Sequence, residues 1–383
     1  MMSFDFQPRT RIVFGPDKID LLGELASELG ARRALVVSDA GVIAAGHTQR
    51  GIDPLEQAGI ETCLFDGAQE NPSTDDVEAG AKLAARHEPE LLVGIGGGSA
   101  IDCAKGINFI YSNGGAMRDY WGVGKALKPM LPMIAVPTTA GTGSETQSFA
   151  LVSDAETKKK MACGDKKAAC RIAVLDPKLT LTQPPSVTAL TGIDALAHAL
   201  ETFVTKPRNP VSIAFSREAW RLLAGNLEKV LQDPQDLAAR GAMQLGASFA
   251  GLAIENSMLG AAHALANPLT ADFGVVHGQA IGIMLPHVIR FNAKQVASLY
   301  QELLDTTADV AGLPQPSDGA GGLSAFVTEL VAKAELPTRL SECGVELAAL
   351  RKLAVDAGQQ WTGTFNPRAV GESELFDIYQ QAF

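Results

Sequence analysis

Between residues 11 and 136 short apolar runs alternate with segments of helical period, and beyond about residue 185 the short runs stop. Arg11-Ile12-Val13-Phe14-Gly15 reads as a short strand, and Ile19, Leu22, Leu25, Ala26 and Leu29 then recur at helical spacing. Ala34-Leu35-Val36-Val37 is a continuous apolar run, the pattern of a strand covered on both faces. The alternation continues with a strand near 61–65, a helix over 74–87, a strand over 91–95, a helix over 99–110 and a strand over 133–136. Strands that alternate with helices build a wound α/β domain with a parallel sheet. After Pro184-Pro185 the chain is Ala/Leu-rich at helical period nearly to its end. The expected architecture is therefore an α/β domain over residues 1–185 and an all-helical domain over 186–383. Residues 112–130 and 313–324 contain Gly and Pro and read as connectors, and no internal repeat or low-complexity tract interrupts the pattern.

Composition narrows the partners. Apolar residues make up 46% of the 383, enough for large buried cores. The net charge of −11 and a single basic run, Lys158-Lys159-Lys160, argue against a nucleic-acid partner. Five cysteines (Cys63, Cys103, Cys163, Cys170, Cys343) stand at scattered spacings with no C-x-x-C pair, so neither a disulfide framework nor a thiolate zinc site is indicated. A reducing cytoplasm is the natural setting. The N-terminal residues do not read as a signal peptide, and no uncharged apolar run reaches membrane-spanning length.

Two glycine-bearing turns stand where a strand passes into the next element. Gly94-Ile95-Gly96-Gly97-Gly98-Ser99 lies between a buried strand and a helix beginning near Ala100. Glycines there allow close backbone approach, and the helix start presents N–H groups and a positive dipole end to a phosphate. Pro137-Thr138-Thr139-Ala140-Gly141-Thr142-Gly143-Ser144-Glu145 follows another buried strand and offers hydroxyls and N–H groups to a diphosphate and ribose. Asp39 closes the strand ending Val36-Val37-Ser38 and can accept hydrogen bonds from a ribose diol while repelling a 2′-phosphate, which favours NAD over NADP. It precedes the glycine loop, whereas the common fingerprint has its acidic residue about 20 positions later. A helix N-cap is the competing role for Asp39.

Four of the six histidines lie between 198 and 287: His198, His263, His277 and His287. Asp194 and His198 are four apart in a stretch that reads as helix, so they project from adjacent turns of one face. His263 is on a second Ala/Leu-rich stretch and His277 in a Val-Val-His-Gly loop after it. Asp194, His198, His263 and His277 suit one divalent metal, Fe(II), Zn(II) or Ni(II), without choosing among them. A lone buried histidine is more commonly a hydrogen-bonded core residue.

Gly96-Gly97-Gly98-Ser99-Ala100-Ile101-Asp102, the Pro137–Glu145 loop, Gly192-Ile193-Asp194-Ala195-Leu196-Ala197-His198-Ala199-Leu200-Glu201, and His263 with His277-Gly278 occur in the order seen in the iron-containing (group III) alcohol dehydrogenases. The chain resembles that family almost throughout, from Thr10 to Asn366-Pro367-Arg368. The resemblance implies the shared architecture of dehydroquinate synthases and iron-containing alcohol dehydrogenases, with a dinucleotide-binding α/β domain, a helical metal domain, and a cleft holding NAD(P) and one metal, iron first. It implies metal ligation by Asp194, His198, His263 and His277. It implies cofactor contacts at Asp39, Asn71, Gly97, Gly98, Ser99, Thr138, Thr139, Thr142, Lys160 and Leu179. Lys160 otherwise reads as one of a solvated trio. Many relatives carry a histidine four residues after the third ligand; here that position is Asn267, which can donate and accept but cannot titrate. His277, water or a ribose hydroxyl then completes the proton path, and Asn267 can orient the substrate oxygen.

The implied reaction is the interconversion of a primary alcohol and its aldehyde with NAD⁺/NADH. From Gly251 to His287 there is no Lys or Arg, only residues such as Met258, Phe273, Ala and Leu. A dicarboxylate or phosphate substrate would ordinarily meet an arginine fork, so a small, largely neutral alcohol fits better. Trp361, Thr362 and Phe365 are candidates for the pocket wall, or for ordinary packing. Three alternatives remain open: a dehydroquinate-synthase-like lyase, which recycles its NAD and forms no net NADH; a maleylacetate-reductase-like reductase of an anionic keto- or ene-acid; and a metal- or nucleotide-binding protein without turnover. The resemblance also implies a homodimer or larger assembly, with the strand near Ile12 as a point of contact.

Overall fold

The computed structural model describes residues 3–307 and 319–383. They form two compact units, Gln7–Gln183 and Pro184–Phe383, the second also taking in the segment that ends at Phe6. The division falls two residues before the expected boundary, because Pro184 is already the N-cap of the next helix and Pro185 its first residue. Proline suits that place, since its missing N–H would have had no intrahelical partner.

In the first unit the elements run β1 (Arg11–Phe14), α1 (Leu22–Glu28), β2 (Arg33–Val37), α2 (Ala40–Ala44), α3 (His47–Gln57), β3 (Glu61–Phe65), α4 (Thr74–His87), β4 (Leu91–Gly96), α5 (Gly98–Asn113), β5 (Gly122–Val123), β6 (Met133–Pro137), β7 (Phe149–Ser153), β8 (Lys160–Gly164) and β9 (Ile172–Leu175). Six strands make one parallel sheet in the order β1-β9-β6-β4-β2-β3. The chain passes from β2 outward to β3, then crosses back to place β4 on the other side of β2. That reversal is a topological switch point, where the loops leaving two neighbouring strands diverge and open a crevice. The loops there begin at Ser38-Asp39 and at Gly97. β5, β8 and β7 form a separate three-stranded sheet in which β7 and β8 are antiparallel.

The expected strands and helices all occur in this unit, with ends displaced by a few residues. The α2 and α3 helices, the β7–β8 hairpin and β9 had no counterpart in the sequence reading. In α3 only Ile52 and Leu55 of the apolar residues are buried and Pro54 lies inside the helix, so its period is faint. The hairpin turn carries Lys158-Lys159, which reads as solvated surface. Two apolar clusters flank the large sheet, one holding Leu35, Ile101, Ile107 and Met133 and the other Ile19, Val36, Val93 and Val174.

The second unit is helical throughout its described residues: α6 (Pro185–Val204), α7 (Pro210–Ala224), α8 (Leu227–Gln232), α9 (Leu237–Asn256), α10 (Ala261–Phe273), α11 (His277–Asp305), α12 (Gly319–Lys333), α13 (Leu350–Gly358) and α14 (Glu372–Ala382), with short 3-10 turns between some of them. The expected connector at 313–324 is corrected from Gly319 onward, which is helix; residues 313–318 lie outside the described residues. α6 packs against α7, α9 and α11. It is long and apolar enough to span a membrane, but 83% of its most apolar window is buried inside the protein and it carries Asp194 and Glu201. It is a core helix.

Candidate metal centre and dinucleotide loops

The charge on α6 explains its position. Asp194 and His198 sit one turn apart, and both side chains are almost wholly buried, which a helix tolerates only if partners converge on them. Partners do converge. The Oδ1 of Asp194 lies 3.4 Å from His198 Nε2, 3.5 Å from His263 Nε2 and 3.6 Å from His277 Nε2. Donors about 2.0–2.2 Å from one cation stand about 3.3–3.6 Å apart at a tetrahedral edge, so the spacing is that of ligands around an ion. The His198 and His263 rings stack with centroids 4.8 Å apart, and the His263 and His277 centroids are 5.5 Å apart. Asp194 Oδ1 and His263 Nε2 are buried with no hydrogen-bond partner. Buried orphans of this kind are costly unless something further engages them, and an oxygen and a nitrogen lone pair aimed at one point fit a divalent cation.

His277 corrects the sequence reading. It is the first residue of α11 rather than part of a loop. Gly278 shows why the helix can start there: a Cβ at Gly278 would stand 2.2 Å from the Leu190 carbonyl oxygen of α6. Glycine lets the two backbones touch, and His277 is thereby brought beside Asp194. Its side chain is 26% exposed against 5–7% for the other three, so the centre opens to solvent on that side. Burial alone would raise the Asp194 carboxyl, but His198, His263 and His277 override it and hold the group well below the usual carboxylate range. Burial works against protonation of His263, yet Glu201 and Asp194 push it up to about 9.

Glu201 had no role in the sequence reading. It is 2% exposed, and its Oε2 lies 2.6 Å from His263 Nδ1. The same carboxylate accepts from the Gly260 N–H at 2.9 Å and the Ala262 N–H at 2.7 Å. The signal for it was present in the spacing: Glu201 follows Asp194 and His198 by two turns and one turn of α6, on their face. Asn267 lies one turn past His263 on α10 and donates to Gln360 Oε1 at 3.0 Å. The 3-10 turn Trp361–Phe365 follows Gln360 and lies against α10, since a Cβ at Gly363 would stand 3.4 Å from that of Ala264. Trp361 and Phe365 meet edge to face at 5.6 Å, and Thr362 is buried. His287 stands apart from the four and pairs with Arg290 at 3.0 Å.

In the first unit the loops at the switch point close on each other. Gly96 has φ of 154°, and a Cβ there would stand 2.7 Å from that of Ala100 and 3.1 Å from Asp39 Oδ2. A Cβ at Gly98 would be 2.4 Å from Thr142 Oγ1, and one at Gly97 3.4 Å from the Thr139 methyl. The second loop is tied to the first strand by the Thr138 N–H, which donates to Gly96 O at 3.0 Å. Gly97 caps α5 with no side chain of its own, so the first-turn N–H groups face outward beside Thr139 and Thr142. Both roles weighed for Asp39 are compatible. Oδ1 accepts from the Val42 N–H at 3.0 Å as an N-cap of α2, while Oδ2 faces Gly96.

Asn71 adopts φ of 53°, donates its N–H to Ser99 Oγ at 3.2 Å, and accepts from Lys160 Nζ at 3.3 Å. Lys160 is exposed like Lys158 and Lys159, with its Nζ directed to Asn71 Oδ1. Leu179 differs from the rest. Its side chain is in the apolar cluster with Ile19 and Val36, so a ligand contact there falls to its backbone. Glycines with no Cβ at a helix start and an acid at a strand end fit a dinucleotide.

The chain is similar to known proteins along its length. A family model described as iron-containing alcohol dehydrogenase matches residues 8–177, and one for the C-terminal part of the Fe-containing alcohol dehydrogenase family matches residues 188–383. The chain is similar to 1,3-propanediol dehydrogenase of Klebsiella pneumoniae, at 34% identity over 99% of each chain. It is similar to NAD-dependent methanol dehydrogenase of Bacillus methanolicus, at 32% identity over 100% of each. A crystal structure of a 1,3-propanediol oxidoreductase superposes with a TM-score of 0.95 at 33% identity, covering all of both chains.

Proposed function

The chain belongs to the iron-containing alcohol dehydrogenase family, and from that premise we propose that it interconverts small, largely neutral primary alcohols and their aldehydes, with NAD as the hydride carrier and Fe(II) as the metal. The observation that carries the reading is the convergence of three imidazole Nε2 atoms on one Asp194 oxygen. A zinc held by four protein ligands is the closed, structural pattern, whereas a metal taking five or six ligands keeps room for substrate; this favours iron. The relatives named for 1,3-propanediol and methanol act on small uncharged alcohols, in keeping with a segment from Gly251 to His287 that lacks any cation.

Bound at this centre, the cation supplies Lewis acidity, which lowers the pKa of an alcohol by several units and polarises a carbonyl in the reverse direction. A bound dinucleotide would supply the hydride acceptor, and the protein's part would be to hold the reacting atoms within about 3–3.5 Å. Asp194, His198, His263 and His277 would hold the cation. Asn267 cannot titrate, so it is assigned to orienting the substrate oxygen. The proton leaves on the exposed side, to water or to a ribose hydroxyl, because a His277 ring that ligates through Nε2 already carries its one proton on Nδ1 and has no lone pair left to accept another. Gly97, Gly98, Ser99, Thr138, Thr139 and Thr142 hold the diphosphate, and Asp39, Asn71 and Lys160 the ribose side.

A panel of short primary alcohols and aldehydes with NAD(H) and NADP(H), run on metal-stripped and Fe(II)- or Zn(II)-reloaded protein, tests the reading by NADH absorbance. Stripped protein turning over as fast as reloaded protein overturns it. Asp39→Asn isolates the coenzyme preference, because asparagine caps a helix as well as aspartate. Removing a charge of about 1–2 kcal/mol near a 2′-phosphate is expected to improve kcat/KM for NADP roughly tenfold with a smaller change for NAD. An unchanged NADP/NAD ratio means that Asp39 does not read the ribose.

The assembly proposed is at least a homodimer. β1 pairs within the described residues only with β9, at the edge of the six-stranded sheet, and an open edge is a ready docking line for a second copy. A cytoplasmic setting suits five free cysteines.

A further inference from the structure

The carboxylate of Glu201 is buried, ionisable and unused in the mechanism above, and it makes three hydrogen bonds that converge from one place. Two come from the backbone at the start of α10, the Gly260 and Ala262 N–H groups, and the third involves Nδ1 of His263. Both oxygens of Glu201 already act as acceptors, toward the Ala262 and Gly260 N–H groups, and the same acceptor geometry at 2.6 Å assigns the donor role to Nδ1 of His263. That choice fixes the other nitrogen: with Nδ1 protonated, a neutral ring carries its lone pair on Nε2, the atom 3.5 Å from Asp194 Oδ1. Glu201 sits at the N-terminal end of a 13-residue helix, where the first backbone N–H groups have no intrahelical acceptor.

We propose that Glu201 is the positioning residue of the metal centre: one side chain sets the tautomer and tilt of the His263 ring and anchors the ring to the start of the helix that carries it. The inference rests on the reading of Asp194 and the three histidines as a metal centre, and it concerns a residue outside that ligand set. A neighbouring group permits a clean control. Asn366 Oδ1 accepts from the Ala261 N–H at 3.3 Å and from Asn292 Nδ2 at 3.0 Å, so it caps the same helix start without touching His263. If Glu201 acts only as a helix cap, Asn366 and Glu201 are equivalent in kind. If it orients the ring, they are not.

Glu201→Gln keeps size and one acceptor but faces three donors with a single oxygen and an NH2 group. Either a backbone N–H loses its acceptor, or the amide presents a proton to Nδ1 and turns the lone pair away from the centre. The probe is Co(II) added to metal-stripped full-length protein, with affinity from chelator competition and geometry from the visible absorption bands. Loss of an outer partner to a ligating histidine costs about 10–100-fold in metal affinity. Glu201→Gln is expected to weaken Co(II) by that factor and to alter the band pattern, Glu201→Asp to recover part of the loss, and Asn366→Ala to stay within about threefold of the parent.

Equal Co(II) affinity and bands in Glu201→Gln and the parent overturn the proposal, as does an equal loss in Asn366→Ala, which reduces Glu201 to a cap. A parent protein that binds no stoichiometric Co(II) overturns the metal reading itself, and this inference with it. Should Glu201→Gln lack a cooperative thermal transition, long-range ¹H–¹⁵N spectra of the zinc-loaded parent decide the matter. A proton on His263 Nδ1 supports the proposal, and a bare Nδ1 sinks it.

Discussion

Replacing His263 by alanine is expected to lower alcohol oxidation by on the order of 10³-fold or more while dinucleotide affinity stays within a few-fold of the parent. The size follows from what the side chain does. Its Nε2 is one of three aimed at a single buried Asp194 oxygen, and Lewis-acid assistance to an alkoxide-forming step is worth several kcal/mol. The selectivity follows from where the side chain is: Asp39, Gly96–Gly98, Thr139 and Thr142 meet one another within Gln7–Gln183 and share no element with α10. Steady-state turnover and a fluorescence titration with NADH separate the two quantities. Turnover near the parent's rate would falsify the metal assignment, and equal loss of both would mean that the substitution had unfolded more than one site.

Adding one methyl group at Gly98 is expected to do the reverse, weakening NADH binding about 10–100-fold and leaving metal content unchanged. The methyl would stand 2.4 Å from Thr142 Oγ1, too close for either group to remain where it is. It would also lie over the first turn of α5, where the proposed function has the N–H groups serve a phosphate. Losing one hydrogen bond to a charged group costs about 1.5–3 kcal/mol, which gives the range quoted. Glycine to alanine in a helix otherwise gains up to about 1 kcal/mol, so the variant's thermal midpoint is expected near the parent's. NADH titration, metal analysis and a melting curve on Gly98→Ala check the three parts together. Undiminished NADH affinity would show that this loop does not hold the diphosphate.

The α/β half was legible in sequence because its central strands β2, β4 and β6 are covered on both faces and so appear as unbroken apolar runs, Leu91 to Ile95 being the plainest. The hairpin of β7 and β8 was not, since its turn is built largely from charged residues and its strands are only partly buried. The ligands were legible as residue types, and Asp194 with His198 also as geometry, because one helix carries both. That His277 starts α11 rather than ending a loop depends on Gly278 touching Leu190, a long-range contact that no local pattern encodes. Glu201 shows a different kind of gap. Its position on the α6 face was readable, but its partner is the backbone at 260 and 262, and a hydrogen bond to backbone leaves no mark on residue identity.

The four proposed ligands come from α6, α10 and α11, and that has a bearing on endurance as well as chemistry. An ion gripped by three separate helices is a rivet. Anything that binds only the folded form adds RT ln(1 + [L]/Kd) to its stability, about 4 kcal/mol at a thousandfold excess over Kd. Iron starvation would then cost the cell its catalyst twice, first as idle protein and then as protein more readily unravelled and degraded.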